Sequence, residues 1–336
     1  MTDNLNIHNH TSVPKYQQIK EAVYNAIENK ELVVGSHLPS INELSKSNSI
    51  ARGTVAKAYE ELREQGIVIA KHGKGYFISS VEFKKKLRIF LLFDTLNHYK
   101  QILYNSFTAA FNENVQVQIF FHHYNLKLFE KLIQDNLRNF HYYVIMPHFN
   151  EDVRDILKLI PQEKLMIIDK EVEGLKDVPA VFQNFESDIY KCLKEGKDLI
   201  NKYKTLNLIL SQNNFQFIPE GTILGFRRFC NDFKISNAII ENINLELVKP
   251  GMAFLVFSDM DLINIIKKAQ ELNLKTGKDI GIISYDDTPM KEVLEKGITV
   301  ISTDFQEMGL QAAKFIKEKI YKRVENPCSL ILRKSL

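Results

Sequence analysis

Four aspartates stand where short apolar runs end. Asp94 follows residues 87–93, Asp169 closes 165–169, Asp259 lies just past 253–257, and Asp286 just past 280–284. Carboxylates at such places accept hydrogen bonds from the hydroxyls of a polar small molecule, and aromatic rings cover its apolar face. Tyr99, Phe185, Phe215 and Tyr285 offer those rings. The competing structural role for a strand-end aspartate is to cap the next helix. A second set suits polyanion chemistry: Arg52, Thr54 and Lys57 within one helical pattern, and Lys71 and Lys74 around Gly73 and Gly75. No phosphate-binding glycine loop, nucleophile elbow or zinc-protease pattern occurs. His122 and His123 are adjacent and on a strand would face opposite ways, which argues against joint metal ligation. Asp286 and Asp287 are adjacent too, and neighbouring carboxylates at a strand end do not converge on one bond. No catalytic residue, metal or cofactor is therefore expected, and a sugar-modifying enzyme stands only as the alternative class.

The elements that must position these groups fall into two parts. From residue 87 onward, apolar runs at 87–93, 115–121, 142–146, 165–169, 206–210, 253–257, 280–284 and 298–302 alternate with amphipathic stretches such as Leu262, Ile265, Ile266 and Ala269. Runs hydrophobic on both faces, alternating with helices, predict an α/β fold with a doubly wound parallel sheet; 250 residues of this kind predict two lobes. In open sheets of this type ligands bind outside the carboxyl ends of the strands, where the four aspartates lie.

The first quarter of the chain differs. Tyr16, Ile19, Val23, Ala26 and Ile27 share one helical face, and Ser40 and Glu43 form a capping box after Pro39. A third helix over about 51–65 buries Val55, Ala58, Tyr59 and Leu62 and ends at Gly66. Two strand-like runs then flank the tip Lys71-His72-Gly73-Lys74-Gly75. Helix, capped helix, helix and hairpin predict a winged helix, with Arg52, Thr54 and Lys57 toward a DNA groove and the glycines letting the wing approach a backbone. The expected division is a winged helix over 1–79, a linker over 80–86 and the two-lobed domain over 87–336. Of 336 residues, 44 are basic and 41 acidic, and the whole net charge of +3 lies within residues 1–86. Three scattered cysteines, no membrane-length apolar run and no leader-like start fit a cytoplasmic protein.

The segment from Val13 to Ile78 resembles the winged helix-turn-helix of the GntR family of bacterial transcription regulators. The shared pattern runs through Gly35, Leu38-Pro39-Ser40, Glu43-Leu44, Arg52, Thr54-Val55, Ala58, Leu62, Gly66, Gly73, Gly75 and Phe77. The resemblance assigns Arg52 and Thr54 to the major groove and backbone, and Gly73, Lys74 and Gly75 to the wing. Asn42 and Lys57 are further candidates. Asn42 stands where the family often has Arg, and Ala51 where it usually has Ser, so no operator sequence is carried over.

Residues 87–336 resemble the effector domain of the LacI family, itself similar to type I periplasmic sugar-binding proteins. Lys278-Asp279-Ile280-Gly281 through Tyr285-Asp286-Asp287, Ile298-Thr299-Val300, Asp304-Phe305 with Gly309, Asp94 with Asn97 and Tyr99, and Ser258-Asp259 follow the family pattern. Thr222 replaces the arginine that commonly holds a sugar hydroxyl. The resemblance implies a homodimeric repressor of operator DNA, controlled by a sugar or sugar derivative between two lobes. Asp94, Asn97, Tyr99, Asp169, Phe185, Phe215, Thr222, Asp259 and Asp286 are the candidate ligand residues. Ligand would alter lobe orientation and thereby the spacing of two winged helices that must meet half-sites ~34 Å apart.

Overall fold

The computed structural model describes residues 14–81, 87–211, 217–241 and 243–336; Phe215 and linker residues 82–86 lie outside them. By its internal packing the chain divides into two units, Met1–Ile89 with Glu113–Gln116 and Lys131–His141, and Phe90–Asn112 with Val117–Glu130 and Tyr142–Leu336.

The first unit contains α1 (Lys15–Glu28), β1 (His37–Leu38), α2 (Ile41–Ser47), α3 (Arg52–Glu64), β2 (Val68–Lys71) and β3 (Gly75–Ile78). Ile19, Val23 and Ile27 of α1 meet Val55, Tyr59 and Leu62 of α3 in one buried cluster. The capping box forms as read: Ser40 N–H donates to Glu43 Oε2 at 2.7 Å, and Glu43 N–H to Ser40 Oγ at 3.2 Å. The two-residue strand β1, too short to register in the sequence, pairs antiparallel with β3 and gives a three-stranded sheet in the order β1-β3-β2.

The remaining chain builds two six-stranded sheets. β4 (Leu87–Phe93), α4 (His98–Ala109), β5 (Val115–Phe121), α5 (Leu126–Asn136), β6 (Tyr142–Ile145), α6 (Arg154–Leu157), β7 (Leu165–Asp169) and β8 (Ala180–Phe182) make the first lobe. The second follows with α7 (Phe185–Glu195), α8 (Lys197–Ile200), β9 (Thr205–Ile209), α9 (Glu220–Phe233), β10 (Asn237–Ile240), β11 (Met252–Val256), α10 (Asp259–Glu271), β12 (Ile280–Tyr285), α11 (Pro289–Val293) and β13 (Thr299–Thr303). The chain then returns: α12 (Phe305–Glu318) packs on α4, β14 (Arg323–Glu325) pairs with β8, and β15 (Cys328–Ile331) pairs with β13. The strand orders are β14-β8-β7-β6-β4-β5 and β10-β9-β11-β12-β13-β15.

Two expectations need correction. The second sheet is not wholly parallel, because β15 enters from the other lobe and runs antiparallel to β13. Nor is 115–121 buried on both faces: Gln116 and Gln118 are exposed, as an edge strand covered on one side requires.

The strands that cross between lobes are stitched at one buried amide. Asn326 Nδ2 donates to Thr303 Oγ1 at 3.0 Å and to the Asp304 carbonyl at 2.8 Å, while its N–H meets the Phe182 carbonyl at 2.7 Å. At α4 and α12, backbones touch over Gly309, where a Cβ would lie 2.1 Å from Ser106 Oγ and 2.6 Å from the Leu103 carbonyl oxygen. Gly309→Ala is expected to force the helices apart and cost about 1–3 kcal/mol, measured by urea denaturation.

Candidate nucleic-acid interface and ligand cleft

The candidate nucleic-acid face is built from the helical core outward. Tyr59 Oη donates to the Pro39 carbonyl at 2.8 Å, fixing α3 against the entry to α2. That leaves Arg52 and Lys57 exposed and Thr54 half-buried on α3, and Asn42 exposed on α2. Arg52 has no ion pair among the described residues. The Lys57 ammonium lies 4.0 Å from the Tyr16 ring centroid, so that cation is partly engaged. Lys71, Gly73 and Lys74 are exposed at the hairpin tip.

β1 supports this tip from beneath. His37 Nε2 contacts the Lys74 carbonyl at 3.1 Å, and a Cβ on Gly75 (φ +92°) would come within 2.8 Å of the same ring nitrogen. A side chain at 75 would thus meet both steric and backbone penalties. The α3 N-cap is Ala51, which supplies no side-chain cap. Ala51→Ser is expected to stabilise this unit by about 1 kcal/mol in chemical denaturation.

The candidate ligand cleft lies at the carboxyl ends of the strands. None of its four candidate aspartates caps a helix; Asn97, Asn184, Ser258 and Asp304 do that instead. Three of the four converge. Asp94 is fully buried and receives Lys100 Nζ on Oδ1 and His148 Nδ1 on Oδ2, the latter at 2.7 Å. The other ring nitrogen, His148 Nε2, is 2.8 Å from Asp169 Oδ2. Asp169 Oδ1 accepts from Gln183 Nε2 at 2.5 Å, and Gln183 Oε1 accepts from Tyr285 Oη at 3.0 Å. A polar relay therefore runs from Lys100 through Asp94, His148, Asp169 and Gln183 to Tyr285, joining the two lobes.

Carboxylates beside both ring nitrogens favour an imidazolium. Burial disfavours that charge, but the bonds to Asp169 and Asp94 outweigh it and raise the His148 pKa. Burial likewise opposes the Asp94 carboxylate, yet His148 and Lys100 hold it well below the ordinary range. Because the two aspartates address opposite nitrogens of one ring, these groups do not converge on a metal position; among the described residues no His, Cys, Asp and Glu cluster does.

Asp169 and Asp286 both adopt left-handed backbone, φ +71° and +58°. Asp286 is 5% exposed and its Oδ1 has no hydrogen-bond partner among the described residues. Burial foremost, then the charge of Asp169, outweighs Lys291 and pushes its carboxyl up to about 7. The Tyr99 phenol is raised by burial and then by the charges of Asp286, Asp94 and Asp169; its ring stacks on Phe305 at 4.5 Å. Phe217 stacks on His148 at 5.1 Å and lines an adjoining cavity of about 750 Å³ with Phe149 and Lys170.

The other candidates sit differently. Asn97 Oδ1 caps α4 through the Lys100 N–H at 3.1 Å. The Asp259 side chain is 51% exposed and pairs with Lys291 at 3.1 Å. Thr222 is fully buried in α9 with Oγ1 unpartnered among the described residues, and Phe185 begins α7. Of the adjacent histidines, His122 is buried with Nε2 at the Met146 carbonyl (3.1 Å), its pKa lowered to about 4 by burial, and His123 is exposed. Sequence reasoning missed His148, Lys100 and Gln183. His148 carried a usable signal, since it follows the apolar run at 142–146 much as the aspartates follow theirs.

A winged helix followed by a two-lobed domain built on two mainly parallel sheets defines the fold class of this chain. More particularly, residues 15–78 match the family model of bacterial regulatory proteins of the gntR family, and residues 225–336 match the periplasmic binding protein-like domain. The chain thus carries a GntR-type helix-turn-helix domain ahead of a periplasmic-binding-protein-like domain.

Over 84 residues, 25% of this chain and 35% of the other, it is 32% identical to the HTH-type transcriptional repressor NagR of Bacillus subtilis. Matches to the curated relatives YurK, YhcF and NagR span 34% to 57% of their lengths. Among solved structures, a LacI family transcriptional regulator from Lactobacillus casei with bound glucose aligns with TM-score 0.60 at 14% identity, covering 74% of this chain and 99% of that one. A lac repressor dimer bound to operator and the anti-inducer ONPF aligns with TM-score 0.60 at 15% identity, over 75% and 94%. These likenesses share the fold of the two-lobed domain.

Proposed function

We propose that the protein is a transcription regulator, a repressor, that grips double-stranded operator DNA as a homodimer and is switched by a sugar or sugar derivative held between the two lobes. It works in the cytoplasm and performs no catalysis on its ligand. The winged helix over 1–79 makes the DNA contacts through Arg52, Thr54, Lys57, Asn42 and the wing residues Lys71, Gly73, Lys74 and Gly75. A linker over 80–86 leads to the sensing and dimerising domain. The observation that carries the reading is the pairing, in one chain, of an exposed basic helix and wing with a buried, incompletely satisfied polar cleft. The glucose-bound and operator-bound structures of like fold support the two ligand classes.

Within this reading Asp94, Tyr99, Asp169 and Asp286 face the ligand, while Lys100, His148 and Gln183 hold the aspartates in place. Occupancy would bias the lobe-joining relay at Tyr285 and Gln183, and a coupling of ~1–3 kcal/mol would change operator affinity about 5–150-fold. Arg52→Ala is expected to weaken operator binding by about 1–3 kcal/mol, with melting unchanged, in fluorescence anisotropy. Equal affinity for the variant would overturn the assignment of α3 to the groove.

A further inference from the structure

The buried groups of the cleft do not balance in charge. Three carboxylates, Asp94, Asp169 and Asp286, share it with two cations, Lys100 and His148. The next cation, Lys291, is engaged: it pairs with Asp259, and its ammonium donates to the carbonyls of Tyr285 and Asp286 at 2.8 Å each. Asp94 and Asp169 each already have a cation of the relay beside them, Lys100 and His148 for the first and His148 for the second. Asp286 is the carboxylate left over, nineteen-twentieths buried with Oδ1 unpartnered among the described residues. A buried carboxylate needs a cation or a proton; without a ligand it takes the proton, consistent with a carboxyl pushed up to about 7.

We propose that the effector is a polyhydroxy compound bearing a basic nitrogen, an amino sugar or aminopolyol, whose ammonium pairs with Asp286. This rests on the sensing role assigned above and names the ligand class of the same cleft. The ammonium supplies the missing cation and a donor for the orphaned Oδ1, while the apolar C–H face of the ligand meets the aromatic rings and its hydroxyls the remaining polar groups.

The surroundings disfavour the opposite charge. Among the described residues, the cavity beside His148 is lined by five carboxylates against three cations, Arg154, Lys170 and Lys176. Arg154 is held by Asp152 at 2.5 Å, and Lys170 donates to the Phe149 carbonyl at 2.8 Å. A sugar phosphate or sugar acid would meet a net negative wall with its strongest cations already committed.

The test uses the full-length chain and isothermal titration at pH 7 with nine probes: D-glucosamine, D-galactosamine and D-mannosamine, their parent hexoses and the three matching uronates. At least one amine is expected to bind tighter than its parent by about tenfold or more, as a charge-assisted contact to a buried carboxylate implies, and the uronates weakest. Asp286→Asn is expected to erase the advantage of the amine over its parent. A parent or uronate that binds as tightly as its amine, an advantage that survives in Asp286→Asn, or no binding by any amine overturns the proposal. Binding of parent hexoses alone would leave the sugar-sensing reading intact. Operator binding in the same preparation tests the regulator reading separately.

Discussion

Replacing His148 with phenylalanine is expected to cost about 3–5 kcal/mol at pH 7, because it leaves Asp94 and Asp169 buried without the charge between them. At roughly 2–4 °C per kcal/mol this is a fall of about 6–20 °C in the melting of the two-lobed domain. Phenylalanine keeps an aromatic face against Phe217, so the loss reports charge rather than stacking. Neutralising a partner in the same chain should recover part of it: the double variant Asp94→Asn, His148→Phe is expected to melt above the sum of its single effects. Strict additivity would mean that the relay is not a unit. The pH dependence has a definite sign. A histidine whose folded pKa is raised contributes stability that is fully present below its ordinary value near 6.5 and lost as pH rises through the higher folded value. The wild type should therefore lose more stability on alkalisation than His148→Phe through this group.

Asp286→Asn should act on the opposite side of the ledger. With a folded value of about 7 against an ordinary 3.8, the native chain holds a proton that the unfolded chain releases. Stability from this group is fully present below about pH 4 and is lost as pH climbs through 7. At about 1.4 kcal/mol per unit, the wild type should forfeit a few kcal/mol between pH 5 and pH 8 that the amide variant retains. In thermal melts without ligand, the variant's advantage over wild type is expected to grow by about 5–10 °C between those pH values. A pH-independent difference would place Asp286 in contact with a compensating charge and remove it as the open position in the cleft.

The parts of this molecule that were legible in the sequence were those fixed by local chemistry. The capping box at Ser40 and Glu43, the stripe on α3 and the tip at Gly73 and Gly75 are set by backbone demands within a few residues. The long apolar strands showed themselves by length alone. β1, β8 and β14, two or three residues each, did not, because their pairing comes entirely from distant partners.

The cleft divides in the same way. Asp94, Asp169 and Asp286 could be read from their places at strand ends. Lys100 could not, since a lysine on an amphipathic helix looks solvated, and only the fold turns it inward onto Asp94. Gln183 was invisible because the three-residue β8 just before it was. Asp259 was read as one of four equals, yet its side chain turns outward to Lys291.

The return of the chain through β14 and β15 sets a timetable for biogenesis. Each sheet lacks one strand until residues 323–331 have been made, and Asn326 lies between the two that are missing. While the polypeptide is still emerging from the ribosome, the winged helix can close its own core, whereas both lobes must wait with β8 and β13 uncovered along one edge. A nascent chain of this design would complete its helix-turn-helix unit before it completes either sheet of the two-lobed domain.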